Sequence, residues 1–434
     1  MPHAFQQPGT DFLAELRWRK LIHQATDEAG LAAHLAAERR RAYIGFDPTA
    51  DSLTVGNLVP IMLLARFQRC GHTPVVLMGG GTGLIGDPSG KSAERQLMTR
   101  ERVAANVEAQ KKIFSRVIDF EAGRAALVNN LDWLGPLTFL DALRDVGKHF
   151  SVNAMIQRDS VRDRLHNRDQ GISYTEFSYM ILQAYDFLHL FEKEGVTLQM
   201  GASDQWGNIV AGLDLISRRN PAAPAPAFGL TTPLITKADG GKFGKSESGA
   251  VWLSADRTSP YAFYQFWLNA ADADIPKFIL TYTLWSREET EAVIAGHLEN
   301  PAAREANRKL ARHMTELLHG PTEADAAEAA ARALFAGDIA ALPPALLDEA
   351  LASAPSSTHD KSALGAGVPL VELLVTVQLA QSKREAKEFL ASGSVTVNGR
   401  KVGAEDRVGT PDLLHGRVIA LRRGKKHWHV TRWA

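Results

Sequence analysis

The 434-residue chain is 45% hydrophobic and 23% charged with a formal net charge of zero, a globular composition whose overall balance points to no polyanionic or polycationic partner. Cys70 is its sole cysteine, which excludes an intrachain disulfide or a cysteine-built metal cluster and fits a reducing compartment. Met1 to Arg19 lacks the apolar core of a secretion signal and no apolar run reaches bilayer-spanning length, so a cytoplasmic protein with no membrane partner is expected.

Residues 11–40 place Leu13, Leu16, Leu21, Ile22, Leu31 and Leu35 near helical spacing and predict helices. Arg41 to Phe46 predicts a short strand and Leu58 to Cys70 an apolar helix. Thr73 to Met78 predicts a buried strand that runs into Gly79-Gly80-Gly81-Thr82-Gly83. Thr99 is a candidate N-cap for a helix reaching Val117. Ala126 to Asn130 reads as a strand with a polar end, and a mostly helical stretch follows from about 138 to 192. Thr197 to Gly201 predicts a further strand, then a helix from about Gln205 to Ser217. Strands alternating with helices, each polar or glycine-bearing at its carboxyl end, predict an α/β fold with a doubly wound parallel sheet. Ligands of such sheets bind beyond the carboxyl ends of the strands, so 45–49, 79–91, 129–132 and 199–206 should converge. From Ser259 to about Leu342 the pattern is helical, alanine-rich and acidic; 353–367 has linker composition, and a compact unit begins near Val368.

Two glycine patterns invite a nucleotide reading and fail it. Gly81-x-Gly83-x-x-Gly86 follows a strand as a dinucleotide fingerprint does, but Gly86-Asp87-Pro88-Ser89-Gly90 interrupts the helix that must begin within the motif. Gly90-Lys91-Ser92 lacks the first glycine of a P-loop, because Ile85 takes its place. These glycines still require close backbone approach, or positive φ, at the end of a central strand. Lys242-Phe243-Gly244-Lys245-Ser246 is of another kind. It follows the polar segment Thr236 to Gly241 and predicts a mobile surface loop. Two cations there suit a polyanion held for one step and then released, such as a triphosphate losing pyrophosphate. Taken alone, the pattern reads more readily as a solvated basic turn.

Tyr43-Ile44-Gly45-Phe46-Asp47-Pro48-Thr49-Ala50-Asp51-Ser52-Leu53 resembles the opening signature of bacterial tyrosyl-tRNA synthetases. So do Thr82 to Lys91, Tyr179-x-x-x-Gln183-x-x-Asp186, Ser203-Asp204-Gln205-Trp206-Gly207-Asn208 and the lysine stretch, in the family's order. The resemblance runs from about residue 10 to the end. It implies a class I aminoacyl-tRNA synthetase with a Rossmann-type catalytic domain over 1–235, carrying a helical dimer-interface insertion at about 131–175. It further implies a phosphate-binding lysine loop at 236–250, an α-helical anticodon-binding domain at 251–352, a linker at 353–367 and a small α+β RNA-binding domain at 368–434, in a homodimer.

The implied reaction activates L-tyrosine with ATP as substrate, and then charges tRNA(Tyr). The tyrosine carboxylate is the nucleophile, so the enzyme aligns substrates and stabilises phosphate charge. By the resemblance, Lys242 and Lys245 clamp pyrophosphate, Lys91 and Arg95 are further phosphate contacts, and Thr49 donates to the terminal phosphate. Mg²⁺ would arrive with ATP, bridging phosphate oxygens, and no protein metal ligands are assigned. Asp186 and Tyr43 would meet the substrate hydroxyl; Tyr179, Gln183 and Asp87 its ammonium; Asn130 and Gln199 would support the pocket. Gly45, Asp47, Gly56, Asn57, Asp204, Gln205 and Lys245 would lie along ATP, with Asp204 and Gln205 at the ribose. Tyr179, Gln183 and Asp186 also share a helix face by spacing alone. One position departs from the family: its His-x-Gly-His or His-x-Gly-Asn is here Thr54-Val55-Gly56-Asn57. The first histidine helps hold the ATP phosphates, whereas Thr54 donates one hydrogen bond without charge. Either activation is slower, or Thr49 and the lysines compensate. Ala202 likewise replaces a more usual glycine before Ser203.

From Val368 to Ala434, twelve basic residues against six acidic ones leave +6 on this unit and −6 on the rest, which suits a phosphate backbone. Ser382-Lys383-Arg384-Glu385-Ala386-Lys387 followed by Gly393 to Gly399 resembles a small RNA-binding domain shared with a ribosomal protein, which in bacterial members docks on the variable arm of the tRNA. Two alternatives stay open: a synthetase-like RNA-binding protein with impaired catalysis, and a tryptophan-specific relative.

Overall fold

The computed structural model describes residues 11–88, 97–158, 161, 162, 165, 171–221, 226–236, 238, 240, 241, 243–246, 249–352, 354–424 and 427–434. The chain forms two compact units, Met1–Thr258 with Ala270–Leu310, and Ser259–Asn269 with Ala311–Ala434.

The first unit is organised by a six-stranded sheet of β1 (Gln24–Ala25), β2 (Arg41–Phe46), β3 (Thr73–Met78), β4 (Ala126–Asn129), β5 (Val196–Ala202) and β6 (Phe228–Thr232). The spatial order is β1-β6-β5-β2-β3-β4; β1 runs antiparallel to β6 and every other pair is parallel. This is the expected doubly wound sheet, with the order reversing beside β2. Ala42 to Ile44 and Val75 to Met78 are buried, so β2 and β3 read as apolar runs rather than alternating ones. Helices Val55–Arg69, Arg100–Val117, Tyr174–Glu194 and Trp206–Arg219 connect or flank the strands. Thr99 caps its helix as expected, its hydroxyl accepting the Arg102 N–H at 3.2 Å. Helix Tyr174–Glu194 ends at Gly195, whose φ of 62° is the left-handed turn that glycine adopts without strain.

Two strands were not expected. β6 is a short, glycine-bearing run with all five residues buried, and β1 is a two-residue edge inside a stretch with helical leucine spacing. The glycine run after β3 meets its requirement for close approach. A Cβ on Gly79 would stand 2.2 Å from Asp47 Oδ1, and one on Gly80 2.2 Å from Asn129 Oδ1.

In the second unit, Arg400–Lys401, Val395–Val397, Val418–Arg423, His427–Trp433 and Ser356–His359 form a five-stranded sheet in that order. Helix Lys383–Ala391 packs Ala386 and Leu390 into a core with Leu370, Leu374, Val395, Ile419, Leu421 and Trp433. Within the linker-like segment 353–367, Ser356–His359 pairs in parallel with the last strand. Its Ser357 hydroxyl lies 2.7 Å from His359 Nε2 and 2.8 Å from His429 Nε2, and the His359 ring stacks on Trp433 at 4.8 Å. Linker composition and strand pairing coexist here because Ser and Thr suit an edge strand whose contacts are made by a distant partner.

Candidate active site

The parallel register levels Phe46 with Met78 and Met78 with Asn129, so the segments that follow β2, β3 and β4 emerge side by side. Helix Tyr174–Glu194 brings Asp186, 1% exposed, to this end of the sheet. Asp186 Oδ2 accepts from Asn130 Nδ2 at 2.9 Å, and Oδ1 from Trp133 Nε1 at 2.8 Å. Burial pushes the carboxyl up to about 8 against the opposing pull of those two donors. Asn130 is itself held, its Oδ1 accepting the Gly81 N–H at 2.7 Å and its Nδ2 also reaching Thr82 Oγ1 at 2.9 Å. Thr82 donates onward to Asp47 Oδ1 at 2.7 Å, and Tyr179 donates its hydroxyl to Asp47 Oδ2 at 2.9 Å.

Tyr43, in the middle of β2, is fully buried with its ring 5.4 Å from Phe187. Its hydroxyl has no hydrogen-bond partner among the described residues. Burial first, then the Asp186 charge, raise its pKa well above the usual phenol value. An unpaired buried hydroxyl costs about 1–3 kcal/mol, so a ligand's polar group there would be stabilising.

A second cluster adjoins the first. Gln205 Nε2 donates to Asp87 Oδ2 at 2.8 Å, Gln183 Nε2 to Gln205 Oε1 at 3.2 Å, and Asn208 Nδ2 to Gln183 Oε1 at 2.9 Å. Helix Trp206–Arg219 packs along Tyr174–Glu194, which is why these amides meet. Tyr179 joins the clusters: after burial, the charges of Asp47 and Asp87 are the next causes raising its pKa.

The other end of the site is the N-terminus of helix Val55–Arg69. Asn57 Oδ1 accepts the Thr54 N–H at 3.0 Å and the Thr54 hydroxyl at 2.9 Å. The chain beyond the lysine stretch is clipped beside this turn. Val55 N–H donates to Val251 C=O at 3.0 Å, Leu253 N–H to Leu53 C=O at 2.8 Å, and Val251 N–H to Gly244 C=O at 3.1 Å. Gly244, with φ 91°, comes so near that a Cβ on it would lie 3.4 Å from Gly56 N. Phe243 beside it packs on Phe278 and Tyr282, ring centroids 4.7 and 5.4 Å away. The positive dipole end at a helix start favours an anion.

Of the expected site residues, Tyr43, Asp47, Asp87, Asn130, Tyr179, Gln183, Asp186 and Gln205 gather at the first end, and Thr54, Gly56 and Asn57 at the second. Gln199 in β5 is 2% exposed, and its Oε1 has no partner among the described residues. Gly45, Thr49 and Asp204 are exposed. Lys91, Arg95 and Lys242 lie outside the described residues; Lys245 begins a two-residue strand, Lys245–Ser246, paired with Gly249–Ala250. Two of these side chains are engaged within the protein. The Thr54 hydroxyl donates to Asn57, not outward, because an N-cap side chain is short and lies against its own first turn. Gln205, expected at the ribose, is tied to Asp87 and Gln183, since helix packing turns it toward them. Trp133, Thr82 and Asn208 were not singled out, although all three lie in or beside the motifs.

The sequence agrees with this architecture at family level. Residues 36–336 match the family model "tRNA synthetases class I (W and Y)", and 347–431 match "Tyrosine–tRNA ligase SYY-like C-terminal domain". The tyrosine–tRNA ligase of Geobacillus kaustophilus is 50% identical over 427 residues, covering 98% of this chain and 100% of the relative. That of Aliivibrio fischeri is 47% identical over 98% of this chain and 99% of the relative. Among solved structures, a C-terminally truncated Aspergillus nidulans mitochondrial tyrosyl-tRNA synthetase aligns with TM-score 0.67 at 30% identity, over 75% of this chain and 95% of that one. A tryptophanyl-tRNA synthetase from Encephalitozoon cuniculi, at 16% identity over 71% of this chain and 86% of that one, shares the fold with TM-score 0.54. Fold and site define a class I aminoacyl-tRNA synthetase of the tryptophan and tyrosine branch. Within that branch, the chain belongs to the tyrosine–tRNA ligase family.

Proposed function

We infer that the chain activates L-tyrosine with ATP, giving tyrosyl-adenylate and pyrophosphate, and then transfers tyrosine to the 3′-terminal adenosine of tRNA(Tyr). The observation that carries the amino-acid choice is the buried Asp186 carboxyl beside the unpartnered Tyr43 hydroxyl. A phenol hydroxyl donates to the one and accepts from the other. Phenylalanine would leave the Tyr43 hydroxyl unpaired and bring Asp186 no further donor, a rule of which tyrosyl-tRNA synthetases are themselves the usual illustration. An indole has no hydroxyl to offer either, which disfavours the tryptophan-specific alternative.

Asp87, Tyr179 and Gln183 are the proposed partners of the substrate ammonium. Asp87 supplies negative charge, and the Tyr179 oxygen still accepts while its hydrogen goes to Asp47. The substrate carboxylate then faces the α-phosphate of an ATP laid toward Gly56 and Asn57. The helix N-terminus, Thr49, Lys91, Arg95 and the two lysines of the loop are the proposed stabilisers of charge on the departing pyrophosphate. Mg²⁺ is proposed to travel on the ATP phosphate oxygens, an arrangement that asks few ligands of the protein.

The basic face of helix Lys383–Ala391, where Lys383, Arg384 and Lys387 are exposed, is the proposed contact with tRNA. A homodimer is proposed through residues 139–152, where Phe139, Leu140 and Val152 are 66%, 76% and 57% exposed, an apolar surface that a partner would cover. No helix among the described residues is long and apolar enough to cross a membrane, and a cytoplasmic setting is proposed with the reaction. ATP–pyrophosphate exchange with tyrosine, with tryptophan and with no amino acid tests the reading. Exchange is expected with tyrosine alone; exchange with tryptophan, or none at all, would overturn it.

A further inference from the structure

We propose that Thr54 is a positioning residue, which turns the Asn57 amide so that its NH₂ faces the nucleotide, and that Thr54 itself makes no contact with ATP. This rests on the reading of Thr54-Val55-Gly56-Asn57 as the nucleotide end of the site.

Three observations carry it. The Asn57 Oδ1 accepts twice, from the Thr54 N–H at 3.0 Å and the Thr54 hydroxyl at 2.9 Å. A backbone N–H can only donate, so the amide cannot turn over without setting donor against donor. The oxygen is thereby fixed inward and the NH₂ outward, and that NH₂ has no partner among the described residues. Next, the single hydrogen of the Thr54 hydroxyl is engaged by Asn57. What the hydroxyl has left are lone pairs, and these repel phosphate oxygens. Finally, Asn57 is half-buried in the helical turn that the lysine stretch approaches, a Cβ on Gly244 lying 3.4 Å from Gly56 N, so the amide belongs to the same turn as the segment expected to meet the phosphates. The amide is thus held in one orientation by the residue that stands in place of the first histidine, whose hydroxyl serves Asn57 rather than the phosphates.

A double-mutant cycle on the full chain separates positioning from contact. Thr54→Val keeps shape and backbone N–H and removes the hydroxyl; Thr54→Ser restores it. Each variant, with Asn57→Ala and Thr54→Val/Asn57→Ala, is assayed by tyrosine-dependent ATP–pyrophosphate exchange with ATP varied. Tyrosine affinity is measured without ATP by equilibrium dialysis. The expected result is that Thr54→Val lowers kcat/KM for ATP about tenfold, as for one lost hydrogen bond. Tyrosine affinity holds, Thr54→Ser recovers most of the loss, and the double variant is no worse than Asn57→Ala. Losses that multiply would overturn the proposal, because they would mean that Thr54 acts on ATP independently of Asn57. So would an unaffected Thr54→Val, a parallel loss of tyrosine affinity, or full activity in Asn57→Ala. If the unaltered chain shows no tyrosine-dependent exchange, the underlying reading fails first, and the proposal falls with it.

Discussion

At the proposed tyrosine end of the site, polar side chains hold one another. Asp186, Asn130, Trp133, Thr82, Asp47 and Tyr179 form one hydrogen-bonded set, most of it buried, with residues drawn from the segments after β2, β3 and β4 and from helix Tyr174–Glu194. At the proposed nucleotide end, the described contacts are mainly backbone to backbone, from Val55 through Val251 to Gly244, with the Thr54–Asn57 pair as the side-chain lock. The contrast follows from the two tasks. Choosing one amino acid requires polar groups that are costly to leave unpaired, fixed before the ligand arrives. Holding a triphosphate through one step requires many modest donors around a charge that then departs.

If the tyrosine end works as a preset network, damage there should scale with the number of bonds removed. Asn130→Ala removes a donor to Asp186 and the acceptor of the Gly81 N–H, so kcat/KM for tyrosine should fall by roughly 10²-fold or more while KM for ATP changes little. Equal losses for both substrates would dissolve the distinction between the ends. Trp133→Phe removes one donor only and should cost about tenfold in the same parameter. A loss as large as that of Asn130→Ala would contradict the counting of bonds.

The same network sets a pH dependence. Burial raises Asp186 to about 8, so the folded protein favours the protonated carboxyl. Its contribution to stability is whole below about pH 4 and is lost as pH climbs toward about 8. Between those limits the urea midpoint of the ligand-free protein should fall relative to that of Asp186→Asn, which cannot titrate. A constant gap between the two proteins would show that Asp186 is ionised throughout. Smallest of all, Thr99→Ala removes a helix cap that takes no part in the hydrogen bonds described at either end, and should cost about 1 kcal/mol of stability with exchange kinetics unchanged. Urea unfolding and the exchange assay together check this.

The bounds of β2 and β3 were legible because both are apolar runs ended by turn residues, and the Thr99 cap because side chain and helix start are neighbours in sequence. β6 and Ser356–His359 escaped notice: each is short and poor in alternation, and its stability comes from a neighbouring strand far away in the chain. In the site, motif spacing put Tyr179, Gln183 and Asp186 on one helix face, and resemblance supplied their roles. Trp133 was hidden because its one informative feature is a bond to a residue 53 positions away. Thr54 shows both sides of this. The sequence displays the departure from histidine, but only the geometry shows that the hydroxyl turns inward.

Asp186 is the proposed acceptor of the phenol hydroxyl, and Asp186→Ala addresses this directly through tyrosine-dependent ATP–pyrophosphate exchange, with tyrosine and phenylalanine compared. Exchange with tyrosine is expected to be abolished, and any remainder of it no longer to distinguish the two amino acids. Near-normal exchange with tyrosine, still selective against phenylalanine, would contradict it.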